Sequence, residues 1–164
     1  MHAVLLNFPS YDGYFNICYT EHMEEMEKRK LSTHFLKCAL LLIMVAGFLD
    51  FLGFTFHLFW SLHYFDSLVH FIAGITVGMG SLWLLTLTTK QITKQNIFNT
   101  AVTGAIIVGV IWEIFELTNG ITLLSDGIHY VTDTGADLIM DVTGGIVAAI
   151  YGWNVTKKYN IKNT

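Results

Sequence analysis

Hydrophobic residues are concentrated in four long stretches, which short polar segments separate. The stretches run from about Thr33 to Trp60, Asp66 to Thr88, Ile97 to Leu117 and Thr134 to Trp153. Each is close to the roughly 20 residues that a helix needs to cross a bilayer. The pattern therefore predicts an all-α polytopic membrane protein, built as a bundle of about four transmembrane helices.

The polar segments predict the rest of the organisation. Residues 1–32 make a poor signal peptide, because the charged cluster EHMEEMEKRK follows the mildly apolar start instead of preceding it. We expect 1–32 to be a cytoplasmic lead, 33–156 the transmembrane domain and 157–164 a basic cytoplasmic tail. The segment 118–133 is long for a plain loop, so we expect it to dip back into the membrane or to cap a site.

The distribution of basic residues predicts the orientation. No Lys or Arg occurs from Cys38 to Thr89 or from Gln95 to Thr156. The basic residues flank the stretches at Lys28, Arg29, Lys30, Lys37, Lys90, Lys94, Lys157, Lys158 and Lys162. Since cytoplasmic loops carry the excess of Lys and Arg, both termini and the central loop are predicted to be cytoplasmic. The chain is then an N-in, C-in, multi-pass protein of the cell (inner or plasma) membrane.

Composition narrows the protein class further. Of 164 residues, 53% are hydrophobic and only 13% are charged, whereas soluble domains carry roughly 25% charged residues. This leaves no room for a separate soluble module, and we expect no nucleic-acid partner. The two cysteines, Cys18 and Cys38, provide neither a disulfide framework nor a metal-type spacing.

The acidic residues gather on the other side of the predicted membrane. The stretch DTGADLIMDVTGG, residues 133–145, carries three carboxylates at spacings of four, which a helix places on one face. In the predicted topology the outer half holds eight carboxylates without a Lys or Arg to pair with. They are Asp50, Asp66, Glu113, Glu116, Asp126, Asp133, Asp137 and Asp141. Solvation in a cleft, protonation or a bound cation would each relieve this charge.

Three residue pairs form the candidate site, one on each of the last three helices. Antiparallel packing brings these pairs to a similar level, as in helix bundles that build metal sites from inward-facing carboxylates and histidines. Oxygen ligands with one His suit a divalent metal such as Mg, Mn or Zn. The predicted metal ligands are Asp66, His70, Glu113, Glu116, Asp137 and Asp141. The candidates for catalysis are Asp137, Asp141 and Glu116.

Other interpretations of these residues stay open. Asp66 and Asp133 also sit where a helix N-cap is expected, and His70 could hydrogen-bond within the core. Trp112 is typical of an interfacial anchor, and the run FTFHLFW of an aromatic belt. We expect His57, His63, Asp126 and His129 to be exposed at the interface or in loops.

Three motifs carry a resemblance to a known family. They are Asp66-x3-His70-x3-Gly74, then Trp112-Glu113-Ile114-Phe115-Glu116, then Asp133-Thr134-x2-Asp137-x3-Asp141-x2-Gly144. Over residues 60–153 this set is similar to that of the inner-membrane YjdF family and its archaeal relatives, and more loosely to VanZ-like proteins. The resemblance implies a helical membrane fold and a shared polar site, but no particular reaction.

The sequence leaves three functions open. The first is a metal-dependent hydrolase or transferase that acts on a lipid-linked substrate, although no GxSxG, HExxH or Walker motif is present. The second is a proton- or cation-coupled transport element, which would need a homo-oligomer because four helices are few for a transporter. The third is a non-catalytic membrane protein whose acidic pocket holds a structural cation or a partner.

Overall fold

A computed structural model describes residues 11–62, 64–89 and 91–159, and the regular secondary structure of these residues is entirely helical. A short 3-10 helix at Leu124–Asp126 precedes the last α-helix. The α-helices are α1 (Tyr11–Thr55), α2 (Leu58–Ser61), α3 (Phe65–Thr88), α4 (Lys94–Asn119) and α5 (Ile128–Lys158).

Four of these helices are long and apolar enough to cross a membrane. They lie in α1, α3, α4 and α5, as the four hydrophobic stretches predict. Large apolar side chains cover the outer surface of the bundle, and only 6% of the most apolar window of α1 is buried. Such a surface suits lipid rather than water. The prediction of an all-α, multi-pass membrane protein is confirmed.

The first helix extends further towards the N-terminus than its hydrophobic stretch. It begins at Tyr11, so residues 11–32 continue directly into the first span. It ends at Thr55, where the chain turns through His57 in a left-handed conformation (φ 57°). Trp60 therefore lies on α2 and not at the end of the first span. The apolar run continues through this turn, so hydrophobicity alone gives no sign of it. Residues 1–10 and 160–164 lie outside the described residues.

The predicted long connection 118–133 is mostly helix. α4 continues to Asn119 and ends at Gly120, whose positive φ of 68° suits glycine. α5 already begins at Ile128, so the polar residues before Thr134 form its first turns. The remaining connection is short and contains a 3-10 turn at Leu124–Asp126.

The four long helices do not contribute equally to the bundle. α3, α4 and α5 all pack against one another, whereas α1 packs mainly along α3 and touches α5 less. We call the end that carries Lys28, Lys94 and Lys157 the basic end, and the opposite end, with Asp66 and Asp137, the acidic end. The main apolar core lies towards the basic end and consists of Leu31, Phe35, Met79, Leu82, Leu85, Ile92, Ile97, Ala101, Ala148, Ala149 and Val155.

Glycines bring the backbones of α3 and α5 into contact between this core and the acidic end. A Cβ at Gly74 would collide with the main-chain carbonyl of Asp141, and one at Gly144 with the carbonyl of Phe71. Small residues permit this close approach of membrane helices. Because the two backbones touch here, the side chains one turn further towards the acidic end are placed at a common level.

Candidate metal centre

His70 lies at the centre of the polar cluster at the acidic end. Its side chain is buried, with 5% of the residue exposed. Nδ1 lies 3.2 Å from Oδ2 of Asp141 on α5, and Nε2 lies 3.9 Å from Oδ1 of Asp66 on its own helix. The two ring nitrogens therefore face different carboxylates. In the tautomer with the proton on Nδ1, the Nδ1–H group donates a hydrogen bond to Asp141. The lone pair of Nε2 is then free to bind a ligand.

Asp66, His70 and Asp137 form a group with the donor atoms of a cation site. One ligand atom from each lies within 4.8 Å of the other two. Ligands on a shared cation with bonds of about 2.1 Å stand about 3–4 Å apart, so small side-chain rotations would close the site around an ion. His70 and Asp137 are buried, while the Asp66 side chain is 36% exposed, so the group is accessible from the side of Asp66. Two carboxylates and one imidazole are a donor set that fits Mg, Mn or Zn.

The spacing of residues along the helices explains this convergence. Asp66 and His70 are four residues apart in the first two turns of α3, and Asp137 and Asp141 are four apart on α5. Each pair therefore shares one helix face. Gly74 continues the α3 face and lies against the backbone of Asp141. This contact fixes the position of Asp141 along the axis of α3, so that its carboxylate lies beside His70.

Glu113 on α4 is a buried carboxylate. Only 6% of the residue is exposed, and neither carboxylate oxygen has a short hydrogen bond within the described part of the chain. The hydroxyl of Thr134 is also buried and lies beside Glu113, close enough to interact with its carboxylate. One turn before Glu113, a Cβ at Gly109 would meet the Asp141 carboxylate, so glycine leaves room for that group. A buried charge without a counter-charge is costly.

Glu116 lies in a different local environment. It is buried at 8% exposure, but its Oε1 accepts a hydrogen bond of 2.9 Å from Nε1 of Trp112 on the same helix. Trp112 itself is 45% exposed, so it combines an interfacial position with a contact to a predicted site residue. Glu116 and Glu113 are both outside the closest group of donor atoms.

Two further carboxylates lie at the margin. Asp50 on α1 is close enough to Asp66 and His70 for electrostatic interaction. Asp133 is exposed and interacts in the same way with Asp66 and Asp137. Neither predicted N-cap is observed: Asp66 lies in the first turn of α3 after the cap Tyr64, and Asp133 lies well inside α5.

The structure thus places all six predicted ligands at one end of the bundle. Their side chains lie at different distances from one another. Asp66, His70 and Asp137 form the closest group, and Asp141 supports the imidazole from its other side. Sequence reasoning missed Gly109, and it included Thr134 in a family motif without predicting it as a site residue. Of the residues predicted to be exposed, His57 and His129 are exposed, and His63 and the side chain of Asp126 lie outside the described part of the chain.

A family comparison places this architecture among known sequences. Residues 18–158 match the model of a family described as predicted membrane protein, DUF2238. The chain belongs to this family. The match covers all four long apolar helices and every residue of the acidic cluster, and it agrees with the resemblance to YjdF-like proteins. Searches of the curated proteins and of the solved structures find no match.

Proposed function

We propose that the protein is a membrane enzyme that binds one divalent cation at Asp66, His70 and Asp137. It would use the cation to hydrolyse or transfer a lipid-linked substrate. The observation that carries the proposal is the arrangement of His70. Asp141 contacts Nδ1, Nε2 lies 3.9 Å from Asp66, and one ring nitrogen lies within 4.8 Å of a carboxylate oxygen of both Asp66 and Asp137. Histidine ligands of metals are commonly oriented in this way.

The charge balance at the acidic end supports a cation. The sequence supplies no Lys or Arg between residues 38 and 89 or between 95 and 156. The protein therefore offers no cationic side chain there except a protonated His. Burial of several carboxylates costs free energy unless a counter-charge is present. A divalent cation supplies that charge and would also let an anionic substrate approach.

The buried residues around the cluster suit hydrolytic or transfer chemistry. A bound divalent cation would activate a water and polarise a phosphoryl or carbonyl oxygen. Glu113, buried beside Thr134, would accept a proton from a water held at the cluster, and the Thr134 hydroxyl would orient that water. Asp141 would keep the His70 ring in position. Asp66, partly exposed, lies on the side from which a lipid headgroup would enter.

The fold favours this interpretation over transport. A transport path between α3 and α5 would have to continue from the cluster towards the basic end. Directly along that route, Gly74 and Gly144 hold the two helix backbones in contact, and the main apolar core follows. The close packing leaves no polar passage between these two helices.

Replacing Glu113 by Gln tests whether this carboxylate is kept for a ligand. Without added metal, we expect Glu113→Gln to raise the free energy of unfolding by about 1 kcal/mol, because an unpaired buried charge is removed. We expect Mn²⁺ to stabilise the variant less than the wild type, since stabilisation by a ligand follows its affinity for the folded state. Thermal unfolding of purified protein in detergent, with and without Mn²⁺, measures both effects.

Glu116→Gln is the matched control, because its carbonyl oxygen can still accept the hydrogen bond from Trp112. We expect a smaller change in both measurements for this variant. A Glu113→Gln protein that is less stable without metal, and is stabilised by Mn²⁺ as strongly as the wild type, would show that Glu113 serves the fold and not a ligand.

A further inference from the structure

A second polar site lies at the basic end, far from the acidic cluster. α1 and the end of α5 enclose a groove of about 380 Å³. Its position is fixed by the packing of α1 on the bundle: Leu31 and Phe35 are fully buried, and Lys28 Nζ donates a 2.6 Å hydrogen bond to the carbonyl of Thr89 at the end of α3. The residues that line the groove are Arg29, Lys30, Thr33, His34, Lys37 and Tyr159.

The lining of this groove is strongly cationic. It contains three permanently charged basic side chains and, among the described residues, no acidic one. Arg29 and Lys30 each pair with a glutamate of α1 that lies outside the groove, at 3.0 and 2.6 Å. Lys37, two helical turns further into the span, makes no ion pair within the described ranges. Its charge is therefore available to an anion.

Hydrogen-bonding side chains lie beside the groove on α1 and α5. His34 Nε2 lies 3.0 Å from the Tyr151 hydroxyl, and their rings stack with centroids 6.0 Å apart. Cys38 Sγ lies 3.7 Å from the same nitrogen. His34 lies on α1 between Arg29 and Lys37, so these hydrogen-bonding groups stand at the level of the cationic lining. Beyond Lys37, the exposed side chains of α1 are apolar, such as Leu41 and Met44.

We propose that this groove binds an anionic phospholipid of the leaflet at the basic end. The phosphate would lie beside Lys37, within hydrogen-bonding reach of His34 and Tyr151 and in the field of Arg29 and Lys30, and the acyl chains would lie along the apolar part of α1. Basic pockets between membrane helices on the cytoplasmic side bind anionic headgroups in this way. The site does not depend on the proposed function, because it lies at the opposite end of α3 from His70.

Lipid retention by the full-length protein tests the proposal. The protein is purified in detergent, mixed with equal amounts of phosphatidylglycerol and phosphatidylcholine, and the lipids that remain bound are measured by native mass spectrometry. We expect phosphatidylglycerol to be retained preferentially, and Lys37→Gln to weaken its binding about five-fold, which corresponds to the loss of one cation near the headgroup. Arg29→Gln provides a second variant with the same expected direction.

Lys94→Gln is the matched control, since it removes the same charge at the basic end but Lys94 lies over Phe98, outside the groove. We expect phosphatidylglycerol binding by this variant to stay at the wild-type level. Equal retention of the two lipids by the wild type would overturn the proposal. An equal loss in Lys94→Gln and Lys37→Gln would also overturn it, because binding would then reflect overall surface charge.

Discussion

Asp137→Asn is expected to weaken Mn²⁺ binding by at least about 100-fold. Asp137 is 2% exposed and supplies one of the three convergent donor atoms. Replacing a residue that only supports a metal ligand already costs about 10–100-fold in affinity, so the loss of a charged ligand should cost at least as much. Isothermal titration of the purified protein with Mn²⁺ measures the affinity directly.

Asp133→Asn is the control for this change. It makes the same substitution on the same helix one turn earlier, where the side chain is exposed and outside the closest donor group. We expect its Mn²⁺ affinity to fall only a few-fold through the loss of a nearby charge. Should the two variants bind Mn²⁺ equally well, Asp137 would not be a ligand and the proposed centre would be wrong.

Gly74→Ala is expected to destabilise the bundle by about 1 kcal/mol. The added methyl group would meet the main-chain carbonyl of Asp141, and a helix backbone moves less easily than a side chain. Overpacking of this kind typically costs about 1–3 kcal/mol, which exceeds the roughly 1 kcal/mol that Ala gains over Gly in a helix. The free energy of unfolding in mixed micelles measures the effect.

Gly80→Ala makes the identical change on the same helix at a position with open space around it. We expect this variant to be as stable as the wild type or slightly more stable, since only the helix propensity changes. If Gly74→Ala were equally well tolerated, the close approach of α3 and α5 would not hold the site residues at their common level.

Most of the fold follows from the sequence. Four apolar stretches of membrane-spanning length specify four long helices, and α3 begins within one residue of its predicted start at Asp66. The predicted ends of the helices were wrong where the local structure does not follow hydropathy. The helix ends near a left-handed residue at His57 although the apolar residues continue to Trp60, and residues 128–133 are helical because their backbone continues into α5.

The residues of the candidate site could also be predicted from the sequence, but their geometry could not. Spacings of four placed Asp66 with His70 and Asp137 with Asp141, which a single helix determines. Which nitrogen of His70 meets which carboxylate depends on the rotation of α3 against α5, and therefore on the contact at Gly74. Such contacts join residues about 70 positions apart and leave no local pattern in the sequence.

The peripheral position of α1 also has a consequence for the proposed centre. All three residues of the donor group come from α3 and α5, and Glu113 comes from α4. α1 contributes only Asp50 at the margin, and its other contacts with the bundle include the apolar core at the basic end. The site is thus built by a three-helix core, with α1 serving as a packed neighbour.

The most direct test of the cation site is a crystal structure of the full-length protein soaked with Mn²⁺, with anomalous diffraction data to locate the ion. Our account predicts one strong anomalous peak within about 2.3 Å of His70 Nε2 and of a carboxylate oxygen from both Asp66 and Asp137. A map with Mn²⁺ bound elsewhere on the protein and none between these three side chains would contradict it.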